Sequence, residues 1–120
     1  MRIMVVDDSK AMRMIVLRTL RLAGFRDHTF VEAADGAEAL EAIKADPPDL
    51  VLSDWNMPKL SGIDLLRGLR SAGVEVNFGF VTSESTREMR DISTEAGAQF
   101  LIAKPFNEDT FREVLEPFID

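Results

Sequence analysis

Cysteine is missing from all 120 residues. Its absence excludes a disulfide framework, a thiolate zinc site, an iron–sulfur cluster and a cysteine nucleophile. Tyrosine is missing as well, and the single histidine, His28, leaves too few imidazoles for a two-histidine metal site. Basic charge is in short supply: 14 Lys and Arg stand against 21 Asp and Glu, a net charge of -7. A face that neutralises phosphates is therefore not expected, and neither is nucleic acid as a partner. No apolar run approaches the length of a membrane span, and Asp7 and Asp8 interrupt the N-terminal apolar stretch before it could serve as a signal peptide. With only 7 Gly and 5 Pro, a collagenous or low-complexity chain is excluded too. The expectation is one soluble, cytoplasmic, monomeric domain over residues 1–120, without a membrane partner.

What is present is an alternation of short apolar runs with stretches of helical period, the signature of βα units around a parallel sheet. The first run, Ile3 to Val6, ends at Asp7-Asp8-Ser9, which caps a helix placing Met12, Ile15, Val16, Thr19, Leu20 and Ala23 on one face, with Gly24 as the stop. A second strand covers His28 to Glu32; Asp35-Gly36 opens a helix with Ala39, Leu40 and Ile43 inward, and Pro47-Pro48 ends it. The third strand, Leu50 to Ser53, leads through Asp54 and a loop to Ser61, the cap of a helix with Leu65, Leu66 and Leu69 inward. The fourth strand, Asn77 to Thr82, precedes a polar helix from Thr86 to Ala96 whose core-facing residues are Met89, Ile92 and Ala96. The fifth strand, Phe100 to Ala103, ends at Lys104-Pro105, and Asn107 caps a last helix carrying Phe111, Val114, Leu115, Phe118 and Ile119, with Pro117 set to kink or end it. Near-continuous apolar strands imply burial on both sheet faces. The expected fold is therefore an α/β flavodoxin-like doubly wound three-layer sandwich, with a five-stranded parallel sheet of order 2-1-3-4-5 and five helices.

In such a sheet, ligands bind beyond the carboxyl ends of the strands, where strand order reverses. That rim receives Asp7 and Asp8 after the first strand, Asp54 after the third, Thr82 after the fourth and Lys104 after the fifth. Any one of these acids is equally well a helix cap. Three together repel one another unless a cation is present, and an all-oxygen donor set with few carboxylates points to Mg²⁺. Residues 7–11, DDSKA, lack the Gly- and Ser-rich cradle of a phosphate-bearing cofactor. The chemistry that fits is attack by Asp54 on a phosphoryl group brought in with Mg²⁺, while Lys104 and the Thr82 hydroxyl stabilise the equatorial oxygens.

The segments VVDDSKAMR, LVLSDWNMPKLSGIDLL, FVTSES and IAKPF together resemble the landmarks of bacterial response-regulator receiver domains, and the resemblance spans the whole chain. It is strongest, at DWNMPKLSG, to the single-domain chemotaxis members of the family. The resemblance implies Asp54 as phosphoacceptor, Asp8 as the main metal carboxylate, Asp7 as a ligand through water and the Asn56 backbone carbonyl as a further ligand. It implies phosphate contacts from Thr82 and Lys104, a cis Lys104–Pro105 bond, and tuning of water attack by Asn56 and Glu84. One departure stands out: where the family usually carries a switch Tyr or Phe, this chain has Leu101, and Phe100 points to the other sheet face because side chains alternate along a strand.

The implied partners are a sensor histidine kinase as phosphodonor and a downstream protein target bound through the fourth helix, fifth strand and fifth helix. The lone His28, on an edge strand, is not a phosphohistidine site, so the donor histidine belongs to another protein. Strand one begins almost at Met1 and the last helix closes near Asp120, so the expected output is protein contact. The function expected is a phosphorylation-activated switch of a two-component system, a stand-alone chemotaxis-type regulator that catalyses chemistry on itself only. A phosphorelay shuttle or phosphate sink needs the same residues. A Mg²⁺-dependent aspartyl-phosphate phosphatase would want a second acid near the nucleophile, and Asn56 stands there instead. Met12, Met14 and Met89 are read as packing, and the arginines of the first helix as a solvated face able to dock an acidic partner surface.

Overall fold

The computed structural model describes residues 1–119. Five βα units follow one another: β1 (Arg2–Val6), α1 (Lys10–Leu22), β2 (Thr29–Ala33), α2 (Gly36–Ala45), β3 (Leu50–Ser53), α3 (Gly62–Ser71), β4 (Asn77–Thr82), α4 (Arg87–Ala96), β5 (Phe100–Ala103) and α5 (Glu108–Leu115). All strand pairs are parallel and the sheet order is β2-β1-β3-β4-β5. Each helix opens on a capping side chain that accepts from a backbone N–H three residues on: Ser9, Asp35, Ser61, Thr86 and Asn107. The helix-capping expectations for Ser9, Ser61 and Asn107 are met, and β2 lies one residue further along than its apolar pattern indicates.

The central strands explain why their sequences are apolar throughout. Ile3, Val5, Leu50 and Leu52 face one side, with α1 and α5; Met4, Val6, Val51, Phe78 and Phe80 face the other, with α2, α3 and α4. Two helices thus cover one face and three the other. That asymmetry corrects the reading of α1. Ile15, expected in the core, is 49% exposed, and Met14, expected to pack, is 60% exposed, because α5 is the main helical neighbour of α1 and the outer flank of α1 is left open. Met14, Ile15 and Leu22 are the exposed large apolar side chains among the described residues.

Two further expectations change at the C-terminal half. In α4, Ile92 and Ala96 pack against the core as expected, though only half-buried; Met89, equally half-buried, is not among the side chains packed there, and the buried side chain is Ser93, whose hydroxyl donates to the Arg90 carbonyl. The last helix stops at Leu115, so Phe118 and Ile119 reach the core from a terminal turn in which both backbone N–H groups donate to the Leu115 carbonyl. Pro117, whose ring cannot continue a helix, sits in that turn. Arg70, half-buried at the end of α3, stitches loops together by donating to the carbonyls of Val74, Val76 and Gly97 at 2.9–3.2 Å.

Candidate functional site

Register builds the site. Val6 is level with Ser53, so the residues that follow, Asp7 and Asp54, leave adjacent strands side by side. Asp54 N–H donates to the Val6 carbonyl at 2.9 Å and Asp7 N–H to the Ala33 carbonyl at 3.2 Å, which fixes both at the carboxyl edge of the sheet. Thr82 is level with Ala103, and Lys104 N–H donates back to the Thr82 carbonyl at 2.9 Å, so the hydroxyl and the lysine arrive from the next two strands. The Lys104–Pro105 peptide bond is cis.

The three acids meet there. One carboxylate oxygen each from Asp7, Asp8 and Asp54 lie within 4.8 Å of one another; Asp7 is buried, Asp54 half-buried and Asp8 exposed. Lys104 Nζ approaches Asp7 Oδ2 at 3.4 Å and Asp54 Oδ2 at 3.8 Å. Asp7 Oδ1 accepts from Ser9 N–H at 2.9 Å, and Asp54 Oδ1 from Trp55 N–H at 2.8 Å. Burial pushes the Asp54 carboxyl above its ordinary range; Lys104 opposes this, the Asp7 charge reinforces it, and the Trp55 N–H and Thr82 hydroxyl lower it again. Three carboxylates against one ammonium leave a negative, oxygen-lined cluster, and a hard divalent cation of the Mg²⁺ type suits that donor set.

The loop after Asp54 is held down by two close backbone approaches. A Cβ at Gly62 would strike the Asp54 carbonyl and the Phe80 ring, and one at Gly36 would strike the Leu60 carbonyl. Gly62 N–H donates to the Trp55 carbonyl at 2.7 Å, closing the loop into the start of α3. Trp55 lies against Phe80, ring centroids 4.8 Å apart, and so borders both the acids and the core. Asn56 is exposed on this loop, and Glu84 is exposed beyond β4 with its N–H 3.4 Å from Thr82 Oγ1. Thr82 itself is fully buried.

Leu101 is half-buried on the α2–α3–α4 side, level with Phe80. Phe100 is on the opposite face, as alternation requires; its ring lies over Gly79, where any Cβ would collide with it, and against Phe118 at 5.3 Å. The residue that sequence reasoning passed over is Arg13. It reads as one of several surface arginines, yet its side chain is 14% exposed and donates to the Asp7 carbonyl at 2.7 Å and to Glu32 Oε1 at 2.9 Å. The available signal is its place one turn past the Asp-Asp-Ser cap, facing the edge strand.

Beside the acids, Met12, Ile15, Ser83, Lys104, Pro105 and Phe106 line a shallow cavity of about 440 Å³. A second, of about 520 Å³, runs along α1 among Met14, Ile15, Leu17, Arg18 and Arg21. Among the described residues no helix is long and apolar enough to cross a membrane.

Comparison with known proteins places these features. The family model described as the response regulator receiver domain matches residues 3–116. The chemotaxis protein CheY-3 of Vibrio cholerae is 38% identical over 122 residues, covering 100% of this chain and 92% of that protein. The chemotaxis protein CheY1 of Helicobacter pylori is 37% identical over 119 residues, covering 97% and 94%. Among solved structures, the chemotaxis protein CheY4 of Vibrio cholerae superposes with a TM-score of 0.84 at 30% identity over 98% of both chains.

Proposed function

Because this chain belongs to the response regulator receiver family, we propose that it is a phosphorylation-controlled signalling switch of the chemotaxis type, with Asp54 as the phosphoacceptor. The observation that carries this reading is the Asp54 carboxylate itself: half-buried, 3.8 Å from Lys104 Nζ, and clustered with Asp7 and Asp8 at the strand ends. A carboxylate oxygen of Asp54 attacks the phosphorus of a partner's phosphohistidine, the P–N bond breaks, and the imidazole leaves with the electron pair. Asp7, Asp8, Asp54 and the Asn56 carbonyl would hold Mg²⁺, which when bound neutralises the acids and shares charge with the phosphoryl oxygens. Lys104 meets the negative charge of the incoming group, and the Thr82 hydroxyl donates to one of its oxygens. Asn56 and Glu84, exposed on the two flanking loops, govern how readily water reaches the acyl phosphate.

The phosphodonor is a histidine kinase and the output a protein target, consistent with relatives that are chemotaxis proteins. The open flank of α1, where Met14 and Ile15 stand beside Arg18 and Arg21, gives the donor an apolar and basic landing surface next to the site. The target binds the α4–β5–α5 side. The chain works as a monomer in the cytoplasm. Leu101 favours a second reading, a phosphorelay shuttle or phosphate sink: Phe100 is committed to the opposite face, so β5 offers no aromatic ring to turn inward when Thr82 engages phosphate. Both readings need the same acceptor. Incubation with Mg²⁺ and a small-molecule phosphodonor followed by mass spectrometry is expected to place one phosphate on Asp54; a label that persists in D54N would overturn the assignment. Repeated turnover of added phosphoesters would instead establish a phosphatase.

A further inference from the structure

The two acids after β1 owe their placement to unequal support. Asp7 is held through its own carboxylate, by Ser9 N–H and Lys104, whereas the exposed Asp8 carboxylate has no hydrogen-bond partner among the described residues. The direction in which the Asp8 side chain leaves the main chain is therefore set by the backbone, namely by the peptide that joins it to Asp7. That peptide's carbonyl is the one Arg13 Nη1 holds at 2.7 Å, and Arg13 is anchored in turn by Glu32 Oε1 at 2.9 Å. Glu32 and Ala33 are neighbours on β2, and Ala33 accepts the Asp7 N–H at 3.2 Å. The edge strand thus grips Asp7 at both its amide and its carbonyl, the second time through the arginine fork.

We propose that Arg13, braced by Glu32, is a positioning residue that fixes the Asp7–Asp8 peptide and so sets the affinity of the acidic cluster for a divalent cation. The inference rests on the reading of that cluster as a cation site and extends it to two residues that touch neither the cation nor Asp54. Groups that orient the atoms around a metal commonly change its affinity by about 10-fold or more. Simple electrostatics gives the opposite sign for Arg13. A guanidinium near a cation site repels the cation, so removing its charge alone would tighten binding.

The test is a Mg²⁺ titration of the whole chain read by Trp55 fluorescence, repeated with Mn²⁺ counted by electron paramagnetic resonance, well below the melting temperature of each variant. Arg13→Met is expected to weaken Mg²⁺ about 10-fold, and Glu32→Ala about threefold. Arg13→Lys, which keeps the charge and one donor, should fall between wild type and Arg13→Met. The double variant should bind no more weakly than Arg13→Met, because the two side chains act through one contact. Glu32 is 44% exposed, so its variant tests the brace even if Arg13→Met folds poorly. Equal or tighter Mg²⁺ binding in Arg13→Met, with wild type responding, would overturn this inference alone. Failure of the wild-type protein to bind either cation would overturn the site reading and this inference with it.

Discussion

Replacing Lys104 by Met removes the ammonium that faces two carboxylates while keeping an apolar stem of similar length. At an effective dielectric of about 20, Coulomb's law gives roughly 5 kcal/mol for the contact to Asp7 and roughly 4 kcal/mol for that to Asp54. Most of this is offset by the cost of drying the three groups, and the measured cost of breaking one partner out of a buried pair is about 3–5 kcal/mol. Lys104 keeps 16% of its side chain exposed, which puts the expected loss at the lower end, about 3 kcal/mol. The assay is urea unfolding followed by circular dichroism at low ionic strength, neutral pH and excess chelator. Two signatures accompany the loss. It shrinks as the pH is lowered, because Asp54, already displaced upward by burial, takes up a proton. It also shrinks in Mg²⁺, which K104M should bind about 10-fold more tightly than wild type, since the lysine no longer competes for the same carboxylates. A loss below about 1 kcal/mol, or weaker Mg²⁺ binding in K104M, would refute the view that Lys104 and a cation balance one set of charges.

Other substitutions probe the parts separately. The Asp54 carboxyl sits above its ordinary value near 3.8, so the folded chain holds this proton more firmly than the unfolded one. Ionisation therefore weakens the fold, and this contribution to stability rises as the pH falls from neutrality through the folded-state value towards 3.8. Thermal melts with chelator should find D54N more stable than wild type at pH 7, with the gap closing on acidification; a less stable D54N would contradict the stated cause. G62A drives a methyl group into the Asp54 carbonyl and the Phe80 ring, and should cost about 3 kcal/mol in urea unfolding while altering Trp55 emission. R70M leaves three carbonyls without their donor and should cost about 2 kcal/mol, with Mg²⁺ affinity unchanged because Arg70 lies away from the acids.

The sheet was legible because parallel strands covered on both faces must be apolar at every position, and β3, β4 and β5 begin and end where their apolar runs do. The convergence of Asp7, Asp8, Asp54, Thr82 and Lys104 followed from strand order alone, since each stands at a strand end. What helical spacing could not convey is how many helices share a face. Ile15 has the right phase for burial on α1, yet no third helix closes over it. Arg13 escaped for a related reason: the partner that ties it to the site is a backbone carbonyl, which has no sequence signature, and its other partner, Glu32, lies 19 positions away on the edge strand.

The fourth helix buries only Ser93 completely and packs against α3 and β5. Local openings cost least where few apolar contacts are broken, so its amides should exchange with deuterated solvent well before those of β1 and β3, whose side chains are sealed on both faces. On the function proposed above, a phosphoryl group at Asp54 would not need to deform the interior to be noticed outside. It would have only to change how long one loosely moored helix stays closed, and the message would then be carried as a lifetime.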